Sequence, residues 1–354
     1  MIRKKSRREE SLDHAELARL LPAPGDPHLS LDRHLLLEEH LMNEIRRATP
    51  APAPSRRPAR RVLLIGVPVS AAALAGAFAL TALTNSGGSD TTATTPLPVE
   101  APIVRIEPGS TARLASTVEH IAAAASARKT PEPGPGQYIY IKSKVSYLTV
   151  SHTDTDKSKT LVQPLHIREV WNSPDGKRGW LDEPGYQPKG GVTLDSDTER
   201  NVNSPSYDYL KTLPTDPDAL LKKIYKETEG RGNSPDQQAF TTVGDLLDEQ
   251  LAPAKLNAAL YRAAAKIPGV VVVEHVKDAA GREGIALAHV DQQSGDRTEW
   301  IFDRRTYAYL GSRAVQVKQA NGIKPGTVLE NTAVLERAVV DAQKQRPDAQ
   351  GTDA

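Results

Sequence analysis

The spacing of apolar residues changes period several times along the chain, and each change marks an element. Leu17, Leu20 and Leu21, then Leu31, Leu35, Leu37, Leu41, Met42 and Ile45, recur at three-, four- and seven-residue intervals, which is one face of a helix. Pro22, Pro24, Gly25 and Pro27 part the two segments, and Ser30 suits the N-cap of the second. From Val62 to Thr84 the pattern is lost altogether: VLLIGVPVSAAALAGAFALTALT carries no charged side chain over twenty-three positions. At about 1.5 Å per residue such a helix crosses the ~30 Å hydrocarbon core of a bilayer. A period of 3.6 returns over Thr111 to Ala127, with Leu114, Val118, Ile121 and Ala125 on one side.

After Pro131, Pro133, Gly134, Pro135 and Gly136 the period becomes two. In Gln137 to Val150, Ile139, Ile141, Val145 and Tyr147 share one face, and Tyr138, Tyr140, Lys142 and Lys144 the other, predicting a long strand with one wet side. A second strand is expected over Leu161 to Asn172, and Ser173-Pro174-Asp175-Gly176 turns the chain into a hairpin partner at Lys177 to Leu181. Gly185 to Pro214 dissolves into Pro, Gly, Asn and Asp and reads as a long loop. Three helices follow, Asp216 to Thr228, Pro235 to Leu251 and Pro253 to Ile267, each opened by a proline near its first turn.

The last third returns to strands: Val270 to Val276, Gly284 to Val290, Thr298 to Asp303, Tyr307 to Val317, and a final strand or short helix over Val328 to Val340. The expected register of the first hairpin puts Val271, Val273 and His275 on the face of Ile285, Leu287 and His289. Strands, then helices, then strands, joined by hairpin turns, give an α+β layout: a curved antiparallel sheet packed with helices, outside the membrane, behind a single transmembrane helix. The expected divisions are a two-helix arm (1–61), the span (62–84), a Thr/Ser/Gly/Pro-rich linker (85–112), the α+β domain (113–342) and a disordered tail (343–354).

Charge fixes the orientation. The net charge is only +1, yet residues 1–61 hold thirteen Lys and Arg against nine Asp and Glu, with Arg56, Arg57, Arg60 and Arg61 against the span, while Asn85 to Val104 holds none. The positive-inside bias then makes this a plasma-membrane protein with its N-terminus in the cytoplasm. Some sixty polar residues before the apolar run argue against a cleavable signal peptide. Anionic headgroups account for the juxtamembrane arginines, and no aromatics interleave them, so nucleic acid is not an expected partner.

There is no cysteine, which removes disulfides, thiol catalysis and thiolate metal sites. The sequence has no Gly-x-Ser-x-Gly elbow, phosphate loop, dinucleotide fingerprint or His-Glu-x-x-His helix, so no enzyme and no cofactor is expected. His275 and His289, diagonal across the expected hairpin, lack a third ligand in phase, and His34 and His40 point to different sides of their helix. Asp182 and Glu183 read as solvated loop carboxylates. The remaining candidates are an apolar cleft lined by Tyr138, Tyr140, Trp171, Trp180, Trp300 and Phe302, and a cytoplasmic partner face of Leu31, Leu35 and Met42.

Two groups of residues carry a resemblance. Glu16-Leu17-Ala18-Arg19-Leu20-Leu21-Pro22, Arg33 to Met42 with Glu44-Ile45, and the outer Arg168-Glu169-Val170-Trp171 ahead of Ser173-Pro174-Asp175-Gly176 resemble an uncharacterised actinobacterial family of single-pass membrane proteins, which implies topology and no mechanism. More remotely, the outer domain looks like the half-barrel of the LolA and RseB type, in which a sheet cups helices and binds acyl chains. That likeness implies a sigma-factor-like regulatory partner for the arm, although the arm has no zinc His/Cys signature. Two readings follow: an envelope sensor whose outer domain reports through the arm, or an anchored module that binds a lipid, lipoprotein or wall component. An envelope enzyme is a distant third. Small residues at Ala71/Ala75 and Ala72/Gly76 permit a homodimer through the span.

Overall fold

A computed structural model describes residues 95–150, 159–248 and 251–348. The arm, with Leu31, Leu35 and Met42, and the predicted span Val62 to Thr84 lie outside the described residues. Among the described ones, no helix is long and apolar enough to cross a membrane.

The strands are β1 (Val99–Glu100), β2 (Gly109–Ser110), β3 (Tyr138–Ser146), β4 (Leu148–Val150), β5 (Thr160–Val162), β6 (His166–Asn172), β7 (Gly179–Asp182), β8 (Val192–Thr193), β9 (Val271–Lys277), β10 (Glu283–Val290), β11 (Asp296–Asp303), β12 (Tyr309–Gln316) and β13 (Val328–Val340). The helices are α1 (Leu114–Ala127), α2 (Tyr207–Leu210), α3 (Pro217–Glu227), α4 (Pro235–Asp248) and α5 (Ala254–Ala264). Ten strands form one sheet in the order β2-β9-β10-β11-β12-β13-β3-β6-β7-β8, every pair antiparallel. β1, β5 and β4 form a second, three-stranded sheet. The expected α+β layout is therefore present, and the last apolar stretch is a strand.

Local chemistry explains the helix starts. The Asp216 carboxylate accepts from the Ala219 N–H at 2.8 Å ahead of Pro217 at the first helical position, and Ser206 does the same for Tyr209 in α2. α2 and β8 both fall inside the stretch expected to be a loop. At the first predicted hairpin turn, Gly176 has φ 73° and its N–H returns to the Ser173 carbonyl at 2.8 Å.

Residues paired across antiparallel strands share a face, so the ladder sorts the side chains. Val272, Leu287, Trp300 and Ser312 make one row; Glu299, Arg313, Asn331 and Ser146 make a row of the opposite face. The first face carries the helix layer. There Ile121, Leu220, Ile224, Phe240, Val243, Leu256 and Leu260 close over Leu287, Trp300 and Phe302, all at most 1% exposed. The Phe240 and Trp300 rings stack at 3.8 Å with 4° between their planes.

The expected β9–β10 register is one residue out. Leu287 pairs with Val272 and Ala286 with Val273, so Val271 and Val273 face away from Ile285, Leu287 and His289. The cause is a bulge opposite Gly284 and Ala286, within which His275 adopts φ 55°. A one-residue slip of this kind moves every side chain to the other face. His275 is consequently exposed and holds the Arg304 guanidinium at 2.9 Å, whereas His289 lies under the helices, 5.5 Å from the Phe240 ring. The two histidines do not form a pair.

Burial pushes the His289 pKa down, against the opposing pull of the Pro268 backbone and of Asp236 and Asp291. A base with a depressed native pKa binds fewer protons folded than unfolded, so the domain loses stability as pH falls below the ordinary value of 6.5. Urea unfolding at about pH 7.5 and about pH 5.5 should show a smaller drop in midpoint for His289→Gln than for the parent chain.

The opposite face of the sheet is crossed by the incoming chain. Ala101 N–H bonds to Thr160, Val104 N–H to Gly326, and Val328 N–H returns to Pro102. The Arg297 guanidinium then takes the Glu107 carbonyl at 2.8 Å, and β2 joins the edge of β9. Beneath this segment Glu299, 0% exposed, sits between Arg297 and Arg313 with N···O distances of 2.6 Å to each.

Candidate functional site

The six residues expected to line one cleft fall on two faces. Trp300 and Phe302 belong to the core beneath the helices, where Tyr261 meets Phe302 edge-on at 5.2 Å. Tyr138, Tyr140, Trp171 and Trp180 share the Glu299 face, because Tyr140 pairs with Trp171 and Trp171 with Trp180. These four form their own cluster with Val340 and Ala338. Alternation along β3 placed Tyr138 and Tyr140 beside Lys142 and Lys144 on a wet side. That side is dry at the tyrosine end: Tyr140 and Trp171 are each 1% exposed.

The cover is the C-terminal segment. Residues 343–348, expected to be part of a disordered tail, pack back across the aromatic cluster. β13 ends at Val340, and a turn follows in which the Gln345 side-chain oxygen accepts from the Asp341 and Ala342 N–H groups at 3.1 and 3.0 Å. Gln137 secures the start of that turn by donating to the Asp341 carboxylate at 2.8 Å. Lys344 takes φ 69°, a left-handed conformation that costs a side-chain-bearing residue about 1–2 kcal/mol. It aims its ammonium at the Trp180 ring, 3.3 Å from the centroid.

Two further contacts complete the strap. The Trp171 indole N–H donates to the Gln345 carbonyl at 2.5 Å. Arg346 bonds both oxygens of Glu169, at 2.8 and 2.5 Å, and reaches Asp182 at 3.6 Å. This is the two-pronged guanidinium–carboxylate geometry that gives direction as well as charge. The Tyr140 hydroxyl donates to the same carboxylate at 2.5 Å.

The electrostatics are those of an anionic pocket with a cation in it. Burial opposes ionisation of Glu169, but the hydrogen bonds from Arg346 and Tyr140 outweigh it and hold the carboxyl below its ordinary value. Burial, then Glu169, drives the Tyr140 hydroxyl far up, so it stays a donor. Arg346 is raised in turn by its bond to Glu169. The site thus offers a flat indole, a second indole edge with an N–H, and two carboxylates about a buried phenol. The chain itself fills it with the Gln345 carbonyl set between the cationic side chains of Lys344 and Arg346.

Sequence reasoning missed Glu169, Asp182 and Arg346. Glu169 stood in plain alternation with Ile167 and Trp171 on β6, so its face was readable, but Arg346 lies 177 residues away in a segment whose composition suggests solvation. Asp182 and Glu183 are not a pair of solvated loop carboxylates either. Asp182 ends β7, and Glu183, 5% exposed, bonds His166 Nε2 at 2.7 Å while Arg168 lies 3.6 Å away. Among the described residues no three or more His, Cys, Asp and Glu gather as a metal site.

No family model matches the chain, and no curated protein matches it. The resemblance to an actinobacterial family therefore stands on the quoted motifs alone. Among solved structures, the chain is similar to one described as the crystal structure of MucB in complex with MucA(peri), at 13% identity and a TM-score of 0.21. The match covers 66% of this chain and 60% of that one. An overlay this loose leaves fold and function to be argued from the chain's own residues.

Proposed function

We propose that the chain is a single-pass plasma-membrane protein whose extracytoplasmic α+β domain receives an envelope ligand and whose cytoplasmic arm passes that occupancy to a partner inside. One observation carries the outer half of this reading: the aromatic and carboxylate face of β3, β6 and β7 is desolvated by a largely exposed strap of the chain rather than by the core. Surfaces of that kind, aromatic with a few fixed polar groups, are where binding energy concentrates. The inner half rests on the apolar stripe of Leu31, Leu35 and Met42, an arrangement suited to docking one helix on another protein. A lipid-binding module is the weaker reading, since an acyl chain entering between sheet and helices must displace the stacked Phe240 and Trp300.

The arm supplies the test. A photo-crosslinking residue at Leu35 in the full-length chain, in its native membrane, should yield a discrete cytoplasmic adduct that Leu31→Asp removes. Adducts no different from those of a probe placed in the 50–54 spacer would overturn the signalling half of the proposal.

A further inference from the structure

The strap is far more exposed than what it covers. The Arg346 side chain is 59% exposed while that of its partner Glu169 is 7% exposed, and Lys344 and Gln345 are exposed above a Trp171 that is almost fully buried. Its anchorage is a carbonyl flanked by two cations in the order Lys344-Gln345-Arg346. A left-handed lysine holds the turn. Few of its groups are buried, the condition under which a segment opens locally without unfolding the sheet beside it.

We propose that the face under the strap is a peptide-binding site, that the strap is its resident pseudo-ligand, and that the competing ligand is a segment of another envelope protein carrying Lys or Arg two residues apart. This inference takes its ligand-receiving face from the function proposed above and adds the chemistry of what binds there. In the exchange the incoming cations take over the Trp180 ring and the Glu169 and Asp182 carboxylates. The carbonyl between the cations takes over the Trp171 indole N–H. A neutral or acidic peptide leaves Glu169 buried without a counter-charge, which excludes it.

The probe is the nine-residue peptide with the sequence of residues 340–348, VDAQKQRPD, added to the full-length chain in lipid nanodiscs. The three tryptophans of the chain make the readout specific, because Trp171 and Trp180 line the face while Trp300 is in the core. Lys344→Glu/Arg346→Glu releases the strap and should bind the peptide saturably with a change in indole emission. The parent chain should bind at least about tenfold more weakly, because its site is mostly occupied. A peptide with both cations replaced by alanine should not bind.

Equal binding by parent and variant, or none by a variant whose circular dichroism and thermal transition match the parent, overturns the proposal. If charge reversal disturbs folding, Lys344→Ala/Arg346→Ala is read in the same way. A parent chain that exchanges straps between two copies, seen as a concentration-dependent dimer that the variant loses, would also overturn the assignment to a separate partner. Loss of the arm adducts with peptide binding intact would strike the signalling reading and leave this site standing.

Discussion

Glu299→Ala should destabilise the domain by about 3–5 kcal/mol, a large share of the roughly 5–15 kcal/mol that holds a typical domain together. Glu299 is fully buried, and its two oxygens are divided between Arg297 and Arg313. Both arginines are themselves under 10% exposed. Removing the carboxylate leaves two guanidinium groups a few ångströms apart, desolvated and mutually repelling. Replacing all three residues is a different matter, because an apolar triad of similar volume restores a neutral interior and commonly loses little. Arg297→Met/Glu299→Leu/Arg313→Met should therefore recover most of the loss. Some deficit should persist, because Arg297 also holds the Glu107 carbonyl and so tacks the incoming segment to the sheet. Urea midpoints of the parent, the single and the triple variant decide the matter. A triple variant no better than the single one would mean that shape, not charge, governs this spot.

Trp300→Ala should cost about 3–5 kcal/mol as well, for a different reason. The indole is 1% exposed, lies flat on Phe240 and fills the space between β11 and α4. Its neighbour on α4 is Gly244, where a Cβ would stand 2.7 Å from the indole nitrogen. Glycine within a helix sacrifices roughly 1 kcal/mol relative to alanine, and here the sacrifice makes room for the tryptophan. Gly244→Ala alone should thus destabilise despite its better helix propensity. In the Trp300→Ala background the same change should stabilise, since the methyl group then enters a cavity. A double-mutant cycle reads this reversal of sign directly. Additive effects would show that the helix and the ring are not in the contact described.

Among the described residues, every helix but the single turn of α2, and most strand positions, were legible because their signals are local. Asp216 and Pro217 announce the start of α3 whatever the rest of the chain does, and the alternation from Tyr138 to Lys144 fixes two faces of β3 in advance. Register was less legible. The β9–β10 hairpin slips by one residue because His275 enters a left-handed bulge, and nothing in Val-Val-Val-Glu-His-Val marks that residue out. The divided fate of the tryptophans follows from topology: Trp171 and Trp300 look alike in their strands, and only the ladder through β12, β13 and β3 reveals that they point to opposite sides. The strap was least visible. Asp-Ala-Gln-Lys-Gln-Arg-Pro has too little apolar surface to predict order, and its order comes from groups on β6 and β7 that are supplied far earlier in the chain.

The bulge that upset the expected register has a colloidal consequence. A ten-stranded open sheet presents two margins, and a long flat margin is a template on which another copy can stack its own backbone. Here the outermost strands, β2 and β8, are two residues each. Beyond β2, the exposed run of β9 is interrupted where His275 breaks the pleat, with Glu274 and Lys277 charged on either side. An arriving strand finds no continuous ladder to extend, which keeps so large a sheet dispersed where many copies crowd together.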